Sequence, residues 1–414
     1  MKILVITNLY PPYYVGGYEL ACRDVVEGLK DRGHKIKVIT STYGVNKRQS
    51  DGEIYRWLQV DVGQKAQKGT FAKLIQFLRK EVNNQLAFNR LCNSFCPDVV
   101  YVWNLAYVSI AITVMTQCNK LPVCYFILDK WLLTDPWYKL WNHQVSKALI
   151  KFGMTLLRFL FNATSLRLSS SSSGLYYVRF VSEHLKRQYL KKADLKVLKP
   201  VTDGAVIYLG IDVNQFSYKK IAHFNGRLLY VGQIVRHKGV HTLIKALEVI
   251  VNQRGYESVT LTIVGGTIIP DYEVYVRHLV SSLGLENNVY FAGSFSREKL
   301  PSIYHEHDIL IFPSVWDEPL GLTQLEAMSS GLAVVGTGTG GSSEILQDEV
   351  NALVFPKENA EVCATQVLRL IDNPELFEKI RQNGRRTVEE KFNFKNMMDK
   401  LDAALQEAVT SGVI

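Results

Sequence analysis

Two glutamates, Glu318 and Glu326, lie eight positions apart in the stretch of the sequence best suited to chemistry. The apolar run 309–314 before them is typical of a buried strand that ends in a turn. A helix is predicted to begin after Gly321, because Thr323 and Glu326 have the spacing of a capping box. An acid at the end of a strand, followed by the free N–H groups of a new helix, suits an anion such as a phosphate.

A plainer interpretation of this stretch is a capped helix behind a surface glutamate. A glycosidase-type carboxylate pair is a further alternative. In a continuous helix the two acids would lie ~12 Å apart along the axis, beyond the roughly 5–9.5 Å that such a pair needs. Different roles for the two glutamates are therefore favoured.

A second candidate loop follows the predicted strand 228–232. It contains Gln233, Arg236 and Lys238, and a helix is predicted from Val240 onward. A lysine in a loop after a parallel strand can neutralise a diphosphate leaving group. The alternative is an ordinary solvated lysine.

The chain begins with a predicted βαβ unit. Residues 2–7 form a continuous apolar run, a loop ends at Gly16 and Gly17, and a helix to about Arg32 precedes the strand 35–40. Glycines at a helix entrance let the backbone come close to a ligand, although a tight turn would also use them.

Strands and helices alternate in both halves of the 414-residue chain. The alternation predicts an α/β protein with two doubly wound Rossmann-like domains facing a central cleft. The polarity of the sequence rises at about 217–225, so we predict domains at 1–215 and 216–392 and a last helical segment at 393–414. A Gly-x-Gly-x-x-Gly pattern at 336–341 comes too late in the second domain to mark a dinucleotide site.

The charge of the chain is unevenly distributed. Residues 1–215 hold 29 basic and 15 acidic residues and carry +14, whereas the other 19 basic and 24 acidic residues give −5. The segment 146–168 has basic residues and no acid, and charge interrupts it too often for a bilayer span. It is predicted as a core-packed helix with a basic face, and the alternative is an amphipathic helix on an anionic membrane.

Six scattered cysteines lack the spacing of a zinc site, and reduced thiols in a cytosol are the default for such a pattern. The short apolar run at the N-terminus is predicted to be a strand rather than a signal peptide. These features favour a cytoplasmic protein. The basic first half of the chain suggests, as an alternative, peripheral attachment to the inner face of the membrane.

Four loops in chain order resemble those of the retaining glycosyltransferases of family 4, which are two-domain enzymes of the glycosyltransferase B fold. The loops are Gly16-Gly17 after Pro-Pro, Lys238-Gly239, the Glu318-to-Glu326 stretch with Pro-x-Gly-Leu inside, and Gly340-Gly341 through Glu344-Ile345. The resemblance covers nearly all of the second domain and the start of the first, whereas residues 44–200 match poorly. In that family the last helix crosses back onto the first domain, which predicts the same for 393–414.

The resemblance implies a role for each matched position. Glu326 would hold the ribose hydroxyls of a nucleotide-sugar donor, Glu318 the hydroxyls of the transferred sugar, and Lys238 the charge on the departing diphosphate. Backbone groups at five positions would approach the donor's phosphate or sugar: Gly16, Gly17, Gly321, Leu322 and Thr323.

At two positions the chain departs from the family's pattern. Gln233 stands where the family usually has an arginine, so either Arg236 compensates in donor binding or Lys238 acts alone. Leu128 stands where many members have a histidine, so only Asp129 is carried over to the acceptor side. The alternative for Asp129 is a loop acid that caps the following turn.

The sequence therefore predicts a retaining glycosyltransferase, a hexosyltransferase, that uses a nucleotide-diphosphate-sugar. UDP is the base favoured by frequency in the family, and the acceptor would be a glycan, a polysaccharide or a lipid-linked molecule. No Asp-x-Asp motif occurs, so no obligatory metal and no other cofactor is predicted. An anionic membrane surface is a further predicted partner, and nucleic acid is not.

Two alternative functions belong to other classes. An NAD-dependent Rossmann oxidoreductase or epimerase would need a glycine fingerprint after the first strand, which this chain lacks. A non-catalytic protein that binds anionic surfaces would fit the basic first half, but the two glutamates in an acidic half argue against it.

Overall fold

The apolar runs of the sequence form buried strands. In the computed structural model every residue of Val99–Asn104 and of Ile309–Phe312 is buried, as expected for parallel strands covered on both faces. The structure describes residues 1–60, 70–108, 112, 116, 120–131, 177–191, 204–220, 224–267 and 269–411. The prediction for the segment 146–168 lies outside these residues.

The chain divides into two compact units, which we describe separately. Unit 1 comprises Met1–Val181, Leu185–Ile207 and Met398–Ile414, and unit 2 comprises Ser182–His184 and Tyr208–Met397. Each unit contains one sheet and its own core, so the α/β prediction is confirmed.

Unit 1 is built on an eight-stranded sheet. Its strands are β1 (Lys2–Thr7), β2 (Lys35–Ser41), β3 (Gln49–Asp51), β4 (Ile54–Leu58), β5 (Val99–Asn104), β6 (Val123–Ile127), β7 (Val178–Phe180) and β8 (Ala205–Val206). Their order is β3-β4-β2-β1-β5-β6-β7-β8, and neighbours are parallel except β3 and β4. The described helices are α1 (Gly17–Asp31), α2 (Thr70–Phe95) and α3 (Glu183–Lys191), whose first two residues belong to unit 2.

Unit 2 is built on a six-stranded parallel sheet. Its strands are β9 (Arg227–Val231), β10 (Thr260–Val264), β11 (Val289–Gly293), β12 (Ile309–Phe312), β13 (Ala333–Gly336) and β14 (Leu353–Val354). Its helices are α4 (Val240–Glu248), α5 (Pro270–Ser282), α6 (Leu300–His305), α7 (Leu322–Ser330), α8 (Ala360–Asp372) and α9 (Pro374–Lys391). The strand order is β11-β10-β9-β12-β13-β14.

The last helix, α10, runs over Phe394–Thr410, and its residues from Met398 onward belong to unit 1. Within unit 1, Arg179 on β7 pairs with Glu407 on this helix at 2.6 Å, and His34 Nε2 lies 3.1 Å from Asp402. Among the described residues, no helix combines the length and the apolar character that a membrane span requires.

In each sheet the strand order reverses at one point, which is where α/β proteins open a crevice for ligands. The reversal lies between β1 and β5 in unit 1, and between β9 and β12 in unit 2. In unit 2 the connections after β9 and β12 leave the sheet in opposite directions. These two connections are the loop of Lys238 and the loop of Glu318, so the topology itself brings the two predicted loops together.

Candidate active site

Lys238 and Glu318 form an ion pair at the reversal point of unit 2. The Lys238 Nζ atom lies 2.6 Å from Glu318 Oε1. The Glu318 side chain is almost fully buried, whereas a quarter of the Lys238 side chain is exposed. A buried carboxylate requires such compensation, because an unpaired charge in this position would cost several kcal/mol, on the order of 3–5 when one partner is removed.

Ser314 also donates to Glu318, from Oγ to Oε1 at 2.6 Å. Ser314 is the second residue after β12 and is buried, so a hydroxyl and an ammonium group hold the same carboxylate oxygen. Among the described residues, none donates a hydrogen bond to the other oxygen, Oε2. The arrangement fixes the carboxylate and leaves one oxygen available to a ligand.

Glycines allow the loops of this site to pack backbone against backbone. Gly239, at φ +75°, would place a Cβ 1.9 Å from the carbonyl oxygen of Pro313. Gly340, at φ +61°, and Gly341 would place theirs 2.4 Å from Glu318 O and 2.0 Å from Pro319 O. The Gly341 N–H donates to Glu318 O at 2.6 Å, so the Gly340-Gly341 turn supports the loop that carries Glu318.

The carboxylate of Glu344, after this glycine turn, accepts three hydrogen bonds within unit 2. The N–H groups of Glu183 and His184 donate at 2.9 and 2.6 Å, and the Tyr208 hydroxyl donates at 2.9 Å. Glu344 therefore caps the first residues of α3.

Helix α7 begins at Leu322, as predicted, but the predicted capping box is wrong. Its N-cap residue is Gly321, at φ +100°, and no side chain caps the helix. Thr323 is already inside the first turn, and Glu326 reaches in another direction. Among the described residues, none accepts a hydrogen bond from the N–H groups of Gly321, Leu322 and Thr323, so the predicted helix start with unbonded N–H groups is present, and its binding of an anion stays a prediction.

Glu326 is buried and is held by residues that precede β12. The Tyr304 hydroxyl donates to Glu326 Oε2 at 2.9 Å, and Arg297 Nη2 lies 3.7 Å from Oε1. Burial, followed by the charge of Glu326, raises the pKa of Tyr304 well above its usual value. The Tyr304 hydroxyl therefore stays protonated and acts as the donor.

The remaining predicted residues of the Lys238 loop lie closer to solvent. The Tyr230 hydroxyl donates to the carbonyl of Gln233 at 2.7 Å and fixes the start of the loop. Arg236 is exposed and, among the described residues, forms no ion pair. Arg236 lies in the turn Arg236–Lys238 that directly precedes α4, and burial, followed by its charge, lowers the pKa of His241.

In unit 1, Gly16 is the N-cap residue of α1 and Gly17 is the first residue of the helix. The Gly16 N–H donates to Glu19 Oε2 at 2.9 Å. Gly16 has an extended backbone, at φ −142°, and an added Cβ would meet only Glu19 Oε2, at 3.4 Å. The fold of unit 1 would therefore accept another residue at position 16.

Asp129 follows β6 and accepts two hydrogen bonds. The Trp131 N–H donates to Oδ1 at 2.8 Å, and Asn104 Nδ2 donates to Oδ2 at 3.4 Å. The first contact is the turn-capping contact that the alternative prediction described. Burial raises the pKa of Asp129, and these two donors oppose the shift. Among the described residues, no lysine or arginine pairs with it.

Three residues that hold the two glutamates were not predicted from the sequence: Ser314, Arg297 and Tyr304. The signal for Ser314 is its position two residues after the end of β12, where polar side chains often line a site. Arg297 and Tyr304 act across loops and helices and carry no local signal. Among the described residues, no group of three or more His, Cys, Asp or Glu side chains could hold a metal ion.

Comparison with known proteins gives a family match for unit 2. Residues 217–387 match the model of the family described as glycosyl transferases group 1. A glycosyltransferase of Methanocaldococcus jannaschii, described as uncharacterized, is 26% identical over an alignment of 426 positions that covers 96% of each chain. In the matches to several other curated relatives, the chain spans only about half of the relative's length.

Two solved structures share the fold over the whole chain. Sucrose-phosphate synthase from Thermosynechococcus elongatus has a TM-score of 0.72 at 18% identity, over 99% of this chain and 100% of that one. HepE of Anabaena in complex with UDP has a TM-score of 0.66 at 19% identity, over 98% and 100%.

The family match lies in unit 2, where Lys238, Glu318 and Glu326 are found. It does not favour the NAD-dependent oxidoreductase or the non-catalytic binding protein. Residues 217–387 are thus similar to the group 1 glycosyltransferases, and the chain has the glycosyltransferase B fold.

Proposed function

We propose that this glycosyltransferase takes a sugar from a nucleotide-diphosphate-sugar, with UDP as the nucleotide, and transfers it with retention of anomeric configuration. The observation that carries the proposal is the Lys238–Glu318 pair at the reversal point of the unit 2 sheet. It puts one cation and one hydroxyl-binding carboxylate at the place where ligands of such sheets bind. The UDP complex of HepE, a protein of the same fold, supports UDP as the nucleotide.

The donor would bind in an extended way along the unit 2 site. Glu326 would accept hydrogen bonds from the ribose hydroxyls, and Glu318 Oε2 from hydroxyls of the transferred sugar. The N–H groups of Gly321, Leu322 and Thr323 are free to meet phosphate or sugar oxygens at the positive end of α7. Arg236 and the backbone near Gln233 would complete the binding of the diphosphate.

Transfer builds negative charge on the diphosphate as its bond to the sugar breaks. The Lys238 ammonium group can stabilise that charge, and one donor of this kind contributes roughly 10²–10³ in rate. Lys238 and Ser314 hold Glu318 through Oε1, and Oε2 would accept from the sugar hydroxyls rather than attack the anomeric carbon. A front-face reaction fits this arrangement, in which the leaving phosphate takes the proton of the acceptor hydroxyl and no covalent sugar intermediate forms on the enzyme.

In unit 1, we assign Asp129 to acceptor binding and Gly16 and Gly17 to close approach of the donor's phosphate. The room above Gly16 supports this role, because neither its backbone angle nor a clash requires glycine there. The acceptor would be a glycan or a lipid-linked molecule, and the protein would be cytoplasmic, with its basic half suited to the inner face of a membrane. Nucleic acid is not a proposed partner.

Turnover would need no divalent metal, because Lys238 supplies the cation that neutralises the leaving group. UDP-sugar hydrolysis by the enzyme should persist in excess EDTA. Complete loss of hydrolysis in EDTA, restored by Mg²⁺ or Mn²⁺, would overturn this part of the proposal.

The function is tested by thermal shift with UDP, GDP, ADP and NAD on the wild type, on Glu326→Ala and on the exposed loop control Glu286→Ala. We expect UDP to raise the Tm of the wild type and of the control but not of Glu326→Ala. A panel of UDP-sugars, followed by UDP release, would then identify the sugar. Stabilisation by NAD alone, or by none of the four, would contradict the proposal.

A further inference from the structure

An aromatic hydroxyl is among the described contacts of Glu326, whereas the described contacts of Glu318 include none. The Tyr304 hydroxyl lies 2.9 Å from Glu326 Oε2, and the ring of Tyr304 is fully buried. The same hydroxyl oxygen lies 3.5 Å from the carbonyl of Thr323, in the first turn of α7. Tyr304 therefore contacts both the carboxylate and the start of the helix that carries it.

The ring of Tyr304 has little freedom to move. It packs edge-to-face against the buried ring of Phe216, with the centroids 5.9 Å apart. The guanidinium of Arg297 also lies 5.9 Å from the Phe216 ring and 3.7 Å from Glu326 Oε1. One oxygen of the carboxylate is thus fixed by a hydroxyl, and the other faces a buried cation.

A carboxylate oxygen accepts up to two hydrogen bonds, and the Tyr304 hydroxyl takes one acceptor position on Glu326 Oε2. Two neighbouring hydroxyls on one face of a ribose ring match two acceptors held in one plane. Burial keeps Tyr304 protonated, so the hydroxyl can act only as the donor towards Glu326.

We propose that Tyr304 is a positioning residue that orients the Glu326 carboxylate for the 2′- and 3′-hydroxyls of the donor nucleotide, and so sets the preference for ribonucleotide donors over deoxyribonucleotide donors. The proposal rests on the proposed function, in which Glu326 meets the ribose. It adds that the discrimination depends on a residue that does not touch the nucleotide.

The test compares the affinities of UDP and of 2′,3′-dideoxyuridine 5′-diphosphate by calorimetry. Four proteins are used: the wild type, Tyr304→Phe, Glu326→Gln and the double variant. The wild type is expected to bind UDP at least tenfold more tightly than the dideoxy compound. Glu326→Gln should bring this ratio close to one, because an amide binds the two hydroxyls poorly.

Tyr304→Phe should reduce the ratio about fivefold through weaker binding of UDP, with the dideoxy affinity unchanged. The double variant should match Glu326→Gln, because Tyr304 acts only through this carboxylate. The matched control is Tyr256→Phe, which removes a tyrosine hydroxyl bonded to the Asp372 carboxylate at 2.8 Å. The control should keep the wild-type ratio.

Each outcome separates this inference from the proposed function. If Glu326→Gln abolishes the discrimination and Tyr304→Phe retains it, the positioning role is wrong and the role of Glu326 stands. Equal weakening of both compounds by Tyr304→Phe would show a merely structural tyrosine and would also overturn the inference. A wild type that binds both compounds equally well, or neither of them, would overturn the ribose role of Glu326 and the inference with it.

Discussion

The reversal points of the two sheets carry carboxylates in opposite electrostatic settings. In unit 2, Glu318 is paired with Lys238, and Glu326 lies beside Arg297. In unit 1, the carboxylates after β1 and β6 are those of Glu19 and Asp129, and among the described residues neither is paired with a lysine or an arginine. Backbone N–H groups and Asn104 are their donors instead.

The difference indicates which ligand chemistry each unit can accept. A cation and an uncapped helix start make the unit 2 site suitable for a diphosphate whose charge grows during the reaction. Carboxylates without cations, as in unit 1, are suited to ligands that donate hydrogen bonds, such as sugar hydroxyls. Residues 1–215 carry a net charge of +14, but no lysine or arginine is among the described contacts of Asp129.

The largest expected effect comes from removing the cation of unit 2. Lys238→Met should lower the rate of sugar transfer at saturating donor by roughly 10²–10³, because the leaving diphosphate loses its partner. The measurement is UDP release from a UDP-sugar. Lys245→Met, an exposed lysine of α4, is the matched control and should keep wild-type activity.

If Lys238→Met kept more than about a tenth of the wild-type rate, Lys238 would not be the main partner of the leaving group. The Lys238–Glu318 pair would then only stabilise the fold of unit 2, and the contrast between the two units would not concern the leaving group.

The second prediction concerns the helix start that unit 2 offers to the donor. Gly321→Ala places a Cβ 2.2 Å from Gln324 Nε2, at φ +100°. That amide is buried and donates to Leu320 O and Ser342 Oγ, so it cannot move without losing these bonds. We expect a loss of about 3 kcal/mol in the free energy of unfolding, measured with urea.

Gly284→Ala is the control for Gly321→Ala, because Gly284 has φ +67° and open space around it. It should cost about 1 kcal/mol, the strain of the backbone angle alone. Equal losses in the two variants would show that Gln324 imposes no constraint on the helix start.

The sequence predicted the elements that have a local signal, and the structure confirms them. Apolar runs predicted the strands. The structure has the predicted buried strand at Ile309–Phe312 and, after it, the predicted helix from Leu322. The capping box failed because Gly321, and not Thr323, occupies the N-cap position of α7, and Glu326 instead contacts Tyr304, 22 residues earlier. Spacing along one segment carries no information about such contacts between segments.

Gly340 and Gly341 were matched in the sequence as a loop without a ligand role, and the structure shows what they do. They let one turn pack on the backbone of the Glu318 loop, a constraint that only the folded chain reveals. Ser314 was overlooked for the same reason, since its partner lies four residues away across a turn rather than along a helix.

A smaller effect is expected from Ser314→Ala, which removes one of the two donors on Glu318 Oε1. Lys238 still holds that oxygen, so transfer should fall only about fivefold, the effect of one hydrogen bond. Ser302→Ala removes an exposed hydroxyl that donates to a helix carbonyl and serves as the control. A loss as large as that of Lys238→Met would mean that Ser314, rather than the ion pair, sets the position of the carboxylate.

The smallest expected effect concerns Asp129 in unit 1 and is measured as a change in thermal stability. Burial raises the pKa of Asp129 above that of the unfolded chain, so its contribution to stability is fully present at low pH and is lost as the pH rises through the folded-state pKa. At pH 7 the ionised form is therefore penalised in the folded protein. Asp129→Asn should raise the Tm slightly at pH 7, and the gain should shrink as the pH is lowered towards 4.

The Tm of both proteins is measured from pH 4 to pH 8, with the exposed Asp51→Asn as the control that should show no such trend. The amide that Asp129→Asn introduces keeps one oxygen to accept from the Trp131 N–H, so the turn is kept while the buried charge is removed. A lower Tm for Asp129→Asn at pH 7 would mean that the charge stabilises unit 1. In that case the Trp131 and Asn104 donors would outweigh the burial of the charge, and the carboxylate of unit 1 would be stabilised without a cation.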